Sequence, residues 1–127
     1  MISDQAATFG IRPVVIDGSG LSRSDRSTPR EVLELLRAIS STAVGSALYS
    51  SLPVVGVSGT TRRIAVHTPA RGACAAKTGT LNYVTNLAGW CHSHGGKLVA
   101  FALFIDGPGN ERALQLISQM VAAIAGV

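Results

Sequence analysis

The 127 residues are 46% hydrophobic and 14% charged, too apolar for a disordered chain and long enough for one small domain with its own core. Eleven Lys and Arg against seven Asp and Glu leave a formal net charge of +4, which draws anionic partners without choosing among them. The few aromatic residues are not interleaved with the scattered arginines, which argues against a nucleic-acid stacking platform, and Leu98–Ile105 and Leu114–Val127 are too short or too interrupted to form a transmembrane segment.

The first dozen residues show no period. Val14-Val15-Ile16 is a β-branched run that predicts a short strand ending at the turn signal Asp17-Gly18. Asp17 suits an Asx-type turn, Gly18 and Gly20 unusual dihedrals, and Ser19 a loop hydrogen bond. Thr28-Pro29-Arg30-Glu31 predicts a helix start with Thr28 as N-cap, Pro29 at the first helical position and Glu31 closing a capping box. Val32, Leu33, Leu35, Leu36 and Ile39 supply its apolar face, with Glu34 and Arg37 outward. Ala43 to Tyr49 reads as a further helical turn or two, stopped at Leu52-Pro53. Val54 to Ala70, rich in Gly, Thr, Ser and Pro, reads as a long cleft-side loop with short extended pieces.

Three strands follow, roughly Cys74 to Leu81, Val84 to His92 and Lys97 to Ile105, the last two joined by the turn Ser93-His94-Gly95-Gly96. A first turn centred between Asn82 and Tyr83 sets Thr80 opposite Thr85, Thr78 opposite Leu87, Ala76 opposite Gly89 and Cys74 opposite Cys91. Directly opposed cysteines at a non-hydrogen-bonded site are close enough for a disulfide; two buried thiols acting as small apolar side chains are the alternative. A disulfide favours an extracytoplasmic compartment. Asp106-Gly107-Pro108-Gly109 breaks the last strand, and Asn110 is the expected N-cap of a closing helix with Ala113, Leu114, Leu116, Ile117, Met120, Val121 and Ile124 as its buried stripe. The expected fold is α+β, an antiparallel meander flanked by helices and closed by the C-terminal one.

Lys77-Thr78-Gly79 ends an apolar run of strand character. It sets an ammonium, a hydroxyl and a step without a side chain at a sheet edge, where an extended peptide can pair and its carboxylate be held. The triplet resembles the third active-site motif of serine penicillin-recognising enzymes. Together with Val14-Val15-Ile16-Asp17-Gly18-Ser19-Gly20-Leu21-Ser22-Arg23, Ser27-Thr28-Pro29, Leu52-Pro53-Val54-Val55-Gly56, Gly59-Thr60 and Asn86-Leu87-Ala88-Gly89, it resembles the C-terminal part of the D-alanyl-D-alanine carboxypeptidases of S13 type, the class C low-molecular-mass penicillin-binding proteins. The resemblance runs from about Phe9 to the C-terminus. It implies residues 1–127 of a transpeptidase-like penicillin-binding domain whose sheet is completed by two upstream strands, and it implies no cofactor.

By that resemblance Lys77 is catalytic, Thr78 binds the terminal carboxylate, Gly79 lets the peptide backbone approach, and the Thr80 amide forms half of an oxyanion hole. Arg23 is a second substrate-binding candidate, suited to gripping a further carboxylate of a peptidoglycan stem peptide, or else a tie that holds its loop to the domain. The family also carries an upstream Ser-x-x-Lys and Ser-x-Asn; this sequence has neither, Ser22-Arg23-Ser24-Asp25 being the nearest approach. The expectation is a portion of the enzyme without its nucleophile. Its partners would be the missing N-terminal portion and, in the complete enzyme, stem peptides and β-lactams; the parent would work in the periplasm or cell wall. A non-catalytic wall-peptide-binding or partner-binding module is the alternative. Other motifs fail on specific letters: Ala76 stands where a P-loop needs glycine before lysine, and Arg23 holds the third glycine position of a dinucleotide fingerprint. Cys91, His92 and His94 lack a fourth metal ligand at a sensible spacing, so no metal is expected.

Overall fold

Alternating side chains along residues 74–106 give the molecule a two-faced sheet at its centre. The computed structural model describes residues 1–107 and 109–127. Its strands β1 (Cys74–Leu81), β2 (Val84–His92) and β3 (Leu98–Asp106) form an antiparallel meander in the order β1-β2-β3. The register pairs Cys74 with Cys91, Thr78 with Leu87 and Thr80 with Thr85, as the two-residue turn at Asn82 and Tyr83 requires. Tyr83 takes the left-handed conformation there, with φ at 61°.

Helices cover both faces of this sheet. On one, Cys74, Ala76, Leu87, Cys91 and Phe101 meet Ile117, Val121 and Ala125 of a helix at Asn110–Ala125. On the other, Trp90 packs on Leu36 and Ile39 of the helix Pro29–Ile39, with Tyr49 and Leu52 from the helix Ala43–Ser51 and its C-cap closing the cluster. In chain order the helices are α1 (Ile2–Thr8), α2 (Pro29–Ile39), α3 (Ala43–Ser51) and α4 (Asn110–Ala125).

Helix α2 begins where its capping box directs, with the Glu31 amide donating to the Thr28 hydroxyl at 3.2 Å and the Thr28 amide donating to the Glu31 carboxylate at 2.8 Å. Helix α3 can turn against α2 because Gly45 has no side chain: a Cβ there would stand 1.9 Å from the Ile39 carbonyl oxygen.

The structure departs from the expectations at five points. Val14-Val15-Ile16 is no strand: Val14 makes a single bridge to Arg26, and Ile16 is 65% exposed, so this run buries too little to hold a ladder. The opening residues, which show no period, form the short α1. Residues 54–70 are a loop as expected, around one 3-10 turn at Gly59–Thr61, but they also contribute to the core, with Val55, Thr61, Ile64, Ala65 and Ala70 all buried. The N-cap of α4 is Gly109, not Asn110, whose side-chain oxygen instead accepts from the buried Thr85 hydroxyl at 3.4 Å. The buried stripe of α4 is also narrower than its apolar pattern, since Leu114, Leu116 and Met120 are exposed. Pro108, part of the expected turn after β3, lies outside the described residues.

Candidate functional site

Backbone parity decides what the outer edge of β1 offers. The His92 amide donates to the Ala73 carbonyl at 2.8 Å, so odd-numbered residues of β1 bond across to β2 and even-numbered ones turn their N–H and C=O outward. The first half of that edge is taken: the Val55 amide donates to the Cys74 carbonyl at 2.8 Å, and the Ala76 amide donates to the Pro53 carbonyl at 2.9 Å. Past Ala76 the covering segment ends. Among the described residues no backbone group pairs with the outward amides of Thr78 and Thr80. These are free, aligned donors at the place where a further extended peptide would add to the sheet.

The side chains on this stretch alternate. Lys77 and Gly79 point to the face that carries α2 and α3, Thr78 and Thr80 to the face that carries α4. Lys77 is exposed, and its ammonium donates to the Thr78 carbonyl at 2.6 Å. No carboxylate pairs with it, the one ion pair among the described residues being that of the Met1 amine with Asp4. Gly79 is forced neither by its backbone nor by packing: its φ is not positive, and a Cβ would meet only the Asn86 side chain at 3.6 Å, an ordinary contact. The fold therefore does not require glycine there.

The segment that clamps the first half of the edge also carries a residue to the second. It bridges at Val54 and Ala75, turns through Gly56 and Gly59, both at positive φ, and sets the Thr60 hydroxyl 2.8 Å from the Thr78 hydroxyl. Eighteen residues separate the two threonines, and nothing in the spacing of the sequence foretells their meeting.

Arg23 sits elsewhere on the same rim. Residues 14–26 close into a loop by reciprocal amide bonds between Val14 and Arg26 at 2.8 Å and by the Ile16 amide donating to Asp25 at 2.7 Å. Inside the loop the Ser19 hydroxyl, and after it the Ser19 amide, hold the Asp17 carboxyl below its ordinary range. The Arg23 guanidinium reaches the Asn82 carbonyl in the β1–β2 turn at 3.4 Å. At about 3.4 Å per strand residue, Asn82 lies about 17 Å along β1 from Lys77, roughly five extended residues. Between the loop and the sheet is a cavity of about 570 Å³, lined by Arg23, Asp25, Arg26, Asn86, Phe104 and Asp106 among others. Lys77, Thr78, Gly79 and Thr80 are thus one continuous edge, and Arg23 stands at its far end.

Cys74 and Cys91 are joined in a disulfide at a non-hydrogen-bonded pair, both buried. Cys91 is therefore no metal ligand, and among the described residues no group of three or more His, Cys, Asp or Glu side chains is placed to hold a metal ion. No helix among them is long and apolar enough to cross a membrane.

Comparison with known proteins follows the same lines. Residues 7–127 match the model of the D-Ala-D-Ala carboxypeptidase 3 (S13) family. The chain is 36% identical over 109 residues to the D-alanyl-D-alanine carboxypeptidase DacB of Haemophilus influenzae, covering 84% of this chain and 22% of that protein. It is 33% identical over 117 residues to a D-alanyl-D-alanine carboxypeptidase of an Actinomadura species, covering 88% of this chain and 22% of that one. Among solved structures, penicillin-binding protein 4 of Haemophilus influenzae, complexed with a β-lactam, superposes with a TM-score of 0.86 at 28% identity over 99% of this chain and 32% of its own. A predatory endopeptidase of Bdellovibrio bacteriovorus in complex with an immunity protein shares the fold, with a TM-score of 0.81 at 21% identity over 98% of this chain and 36% of its own. The chain spans about a fifth of the length of these two carboxypeptidases.

Proposed function

The chain belongs to the D-Ala-D-Ala carboxypeptidase 3 (S13) family, and from that premise we propose that it forms the substrate-binding wall of a serine carboxypeptidase acting on peptidoglycan stem peptides. The observation that carries this reading is the half-covered edge of β1. Its outward backbone groups are engaged by residues 53–55 up to Ala76, and its amides are free at Thr78 and Thr80, where Lys77, the Thr78 hydroxyl and an unforced glycine follow one another along the strand.

In the proposed reaction the peptide lies along this edge with its terminal carboxylate at the Thr78 hydroxyl. Gly79 leaves room for its backbone, and the outward Thr80 amide receives the oxyanion of the tetrahedral intermediate. Lys77 leaves the Thr78 carbonyl, adds positive potential where negative charge gathers, and helps proton transfer toward a serine nucleophile. An acyl-serine step needs an activated hydroxyl with a base in reach, and these 127 residues hold no Ser-x-x-Lys, so the nucleophile comes from outside them. Arg23, at the far end of the edge, takes a side carboxylate of the stem peptide. The same open edge admits a cross-linked peptide, so endopeptidase activity is part of the proposal. The Cys74–Cys91 disulfide supports an extracytoplasmic site of action.

Replacing Lys77 with Ala in the complete enzyme tests this. Acylation by a β-lactam and release of terminal D-alanine should both fall by on the order of 10²–10³, the loss typical of one positioned electrostatic group. Unchanged acylation would remove Lys77 from the mechanism. The absence of Ser-x-x-Lys favours one other reading, a module that binds wall peptide or a partner and turns nothing over. Peptide binding by a complete protein that never acylates would support that alternative.

A further inference from the structure

We propose that Thr60 is a positioning residue for substrate recognition, orienting the Thr78 hydroxyl toward the terminal carboxylate of the peptide; the inference rests on the carboxypeptidase reading above. Its basis is the 2.8 Å contact between the two hydroxyls and the way the chain is built to make it.

The contact is held from both sides. Upstream, the Val54 to Ala75 bridge and the bonds to Cys74 and Ala76 fix residues 53–55 on β1. Downstream, Thr61 is fully buried, its hydroxyl donates to the Ser58 carbonyl at 3.1 Å, and its carbonyl accepts from the Gly56 amide at 3.0 Å. Between them Gly59 takes φ at 53°, with its missing Cβ only 3.0 Å from two carbons of the Pro53 ring. A side chain at 59 would press on that ring and adopt a left-handed backbone, so glycine lets the turn fold down and deliver Thr60 to the edge.

Thr60 itself is exposed, and its side chain contributes nothing to the buried core. Its one side-chain hydrogen bond among the described residues is the one to Thr78. A hydroxyl has one proton and two lone pairs. In the structure Thr78 donates to Thr60. A carboxylate can only accept, so when it arrives the Thr78 proton must turn to it. Thr60 then donates its own proton to the lone pair that Thr78 exposes. The two hydroxyls point one way, each bond polarising the next toward the anion. Without Thr60 the Thr78 hydroxyl is free to rotate and loses the donor behind it.

The test uses the complete protein carrying these residues, with T60V, T60S, T78V and the T60V/T78V double variant. Release of D-alanine is measured on a peptide with a free terminal carboxylate, and cleavage on the same peptide as its C-terminal amide. T60V keeps the shape and removes the hydroxyl. It should lower kcat/KM on the carboxylate peptide about tenfold, mainly through KM, as the loss of one hydrogen bond to an anion's donor would. T60S should restore the rate, the amide peptide should lose much less, and T60V should add little to the defect of T78V. Full activity of T60V, equal loss on both peptides, or losses that multiply in the double variant would overturn the proposal, the last by showing that Thr60 binds substrate independently. A wild-type enzyme that releases no D-alanine would instead bring down the carboxypeptidase reading, and this inference with it.

Discussion

Two charged side chains answer to different physics. Arg23 reaches the Asn82 carbonyl at the long end of hydrogen-bond range, 3.4 Å, an attachment a competing carboxylate can displace. If it grips a side carboxylate of the stem peptide, Arg23→Ala should depress turnover of wall-like peptides and barely change acylation by a simple β-lactam that lacks that group. A uniform loss on both substrates, with a lower melting temperature, would make Arg23 a tie between loop and hairpin. Glu31 has a purely structural role. The Thr28 amide chiefly holds its carboxyl below the ordinary 4.5, against an opposing desolvation that is next in size, with lesser help from the Thr28 hydroxyl, the Arg12 amide and the Ser27 hydroxyl. A carboxylate depressed in the folded state contributes stability that is present above its unfolded value and lost as pH falls through its folded one. Urea midpoints should therefore drop below about pH 4.5, and Glu31→Gln, which keeps the capping geometry, should flatten that part of the curve. An unchanged slope in the variant would assign the acid sensitivity elsewhere, Asp17 being the other carboxylate held low.

The hairpin of β1 and β2 is the element on which the site depends, because its register decides which amides of Thr78 and Thr80 face outward. The Cys74–Cys91 bond pins that register at one end, and the Asn82–Tyr83 turn sets it at the other. Replacing both cysteines with alanine should cost about 2–3 kcal/mol from the constraint lost in the unfolded chain. Denaturant melts under non-reducing conditions would measure it, and an unaltered midpoint would show that side-chain packing alone fixes the pairing. The hairpin, the capping box of α2 and the edge position of Lys77 were all legible in the sequence because each is set by neighbours a few residues apart. What escaped has the opposite character. The burial of Val55, Ile64 and Ala70 comes from contacts with strands far along the chain, and no period marks them. Asn110 has the chemistry of a cap, but its side chain is engaged by Thr85 from β2, so the backbone starts the helix at Gly109. The pairing of Thr60 with Thr78 is likewise a product of tertiary folding.

At the scale of the whole molecule, these residues form a sheet covered on both faces but open along part of its rim. The outer edge of β3 pairs with no strand among the described residues, and Leu114, Leu116 and Met120 of α4 stand exposed. Such an edge is a template for further strands, and the proposed enzyme needs additional chain to bring a nucleophile to Lys77. The serines already present are poorly suited to that task. Ser19 donates its hydroxyl to Asp17 at 2.6 Å in a solvent-exposed turn, and Ser22 accepts from the Ser24 amide at 3.2 Å. Neither is hydrogen-bonded to a lysine or histidine that would take its proton, and Lys77 is occupied by the Thr78 carbonyl. The 127 residues alone, incubated with a β-lactam, should therefore show an unchanged intact mass, whereas a complete protein should gain the mass of one opened β-lactam. A stable adduct on the isolated chain, mapped to Ser19, Ser22 or any other serine, would place a working nucleophile inside these residues. It would also require the edge of β1 to serve an active site quite different from the one proposed.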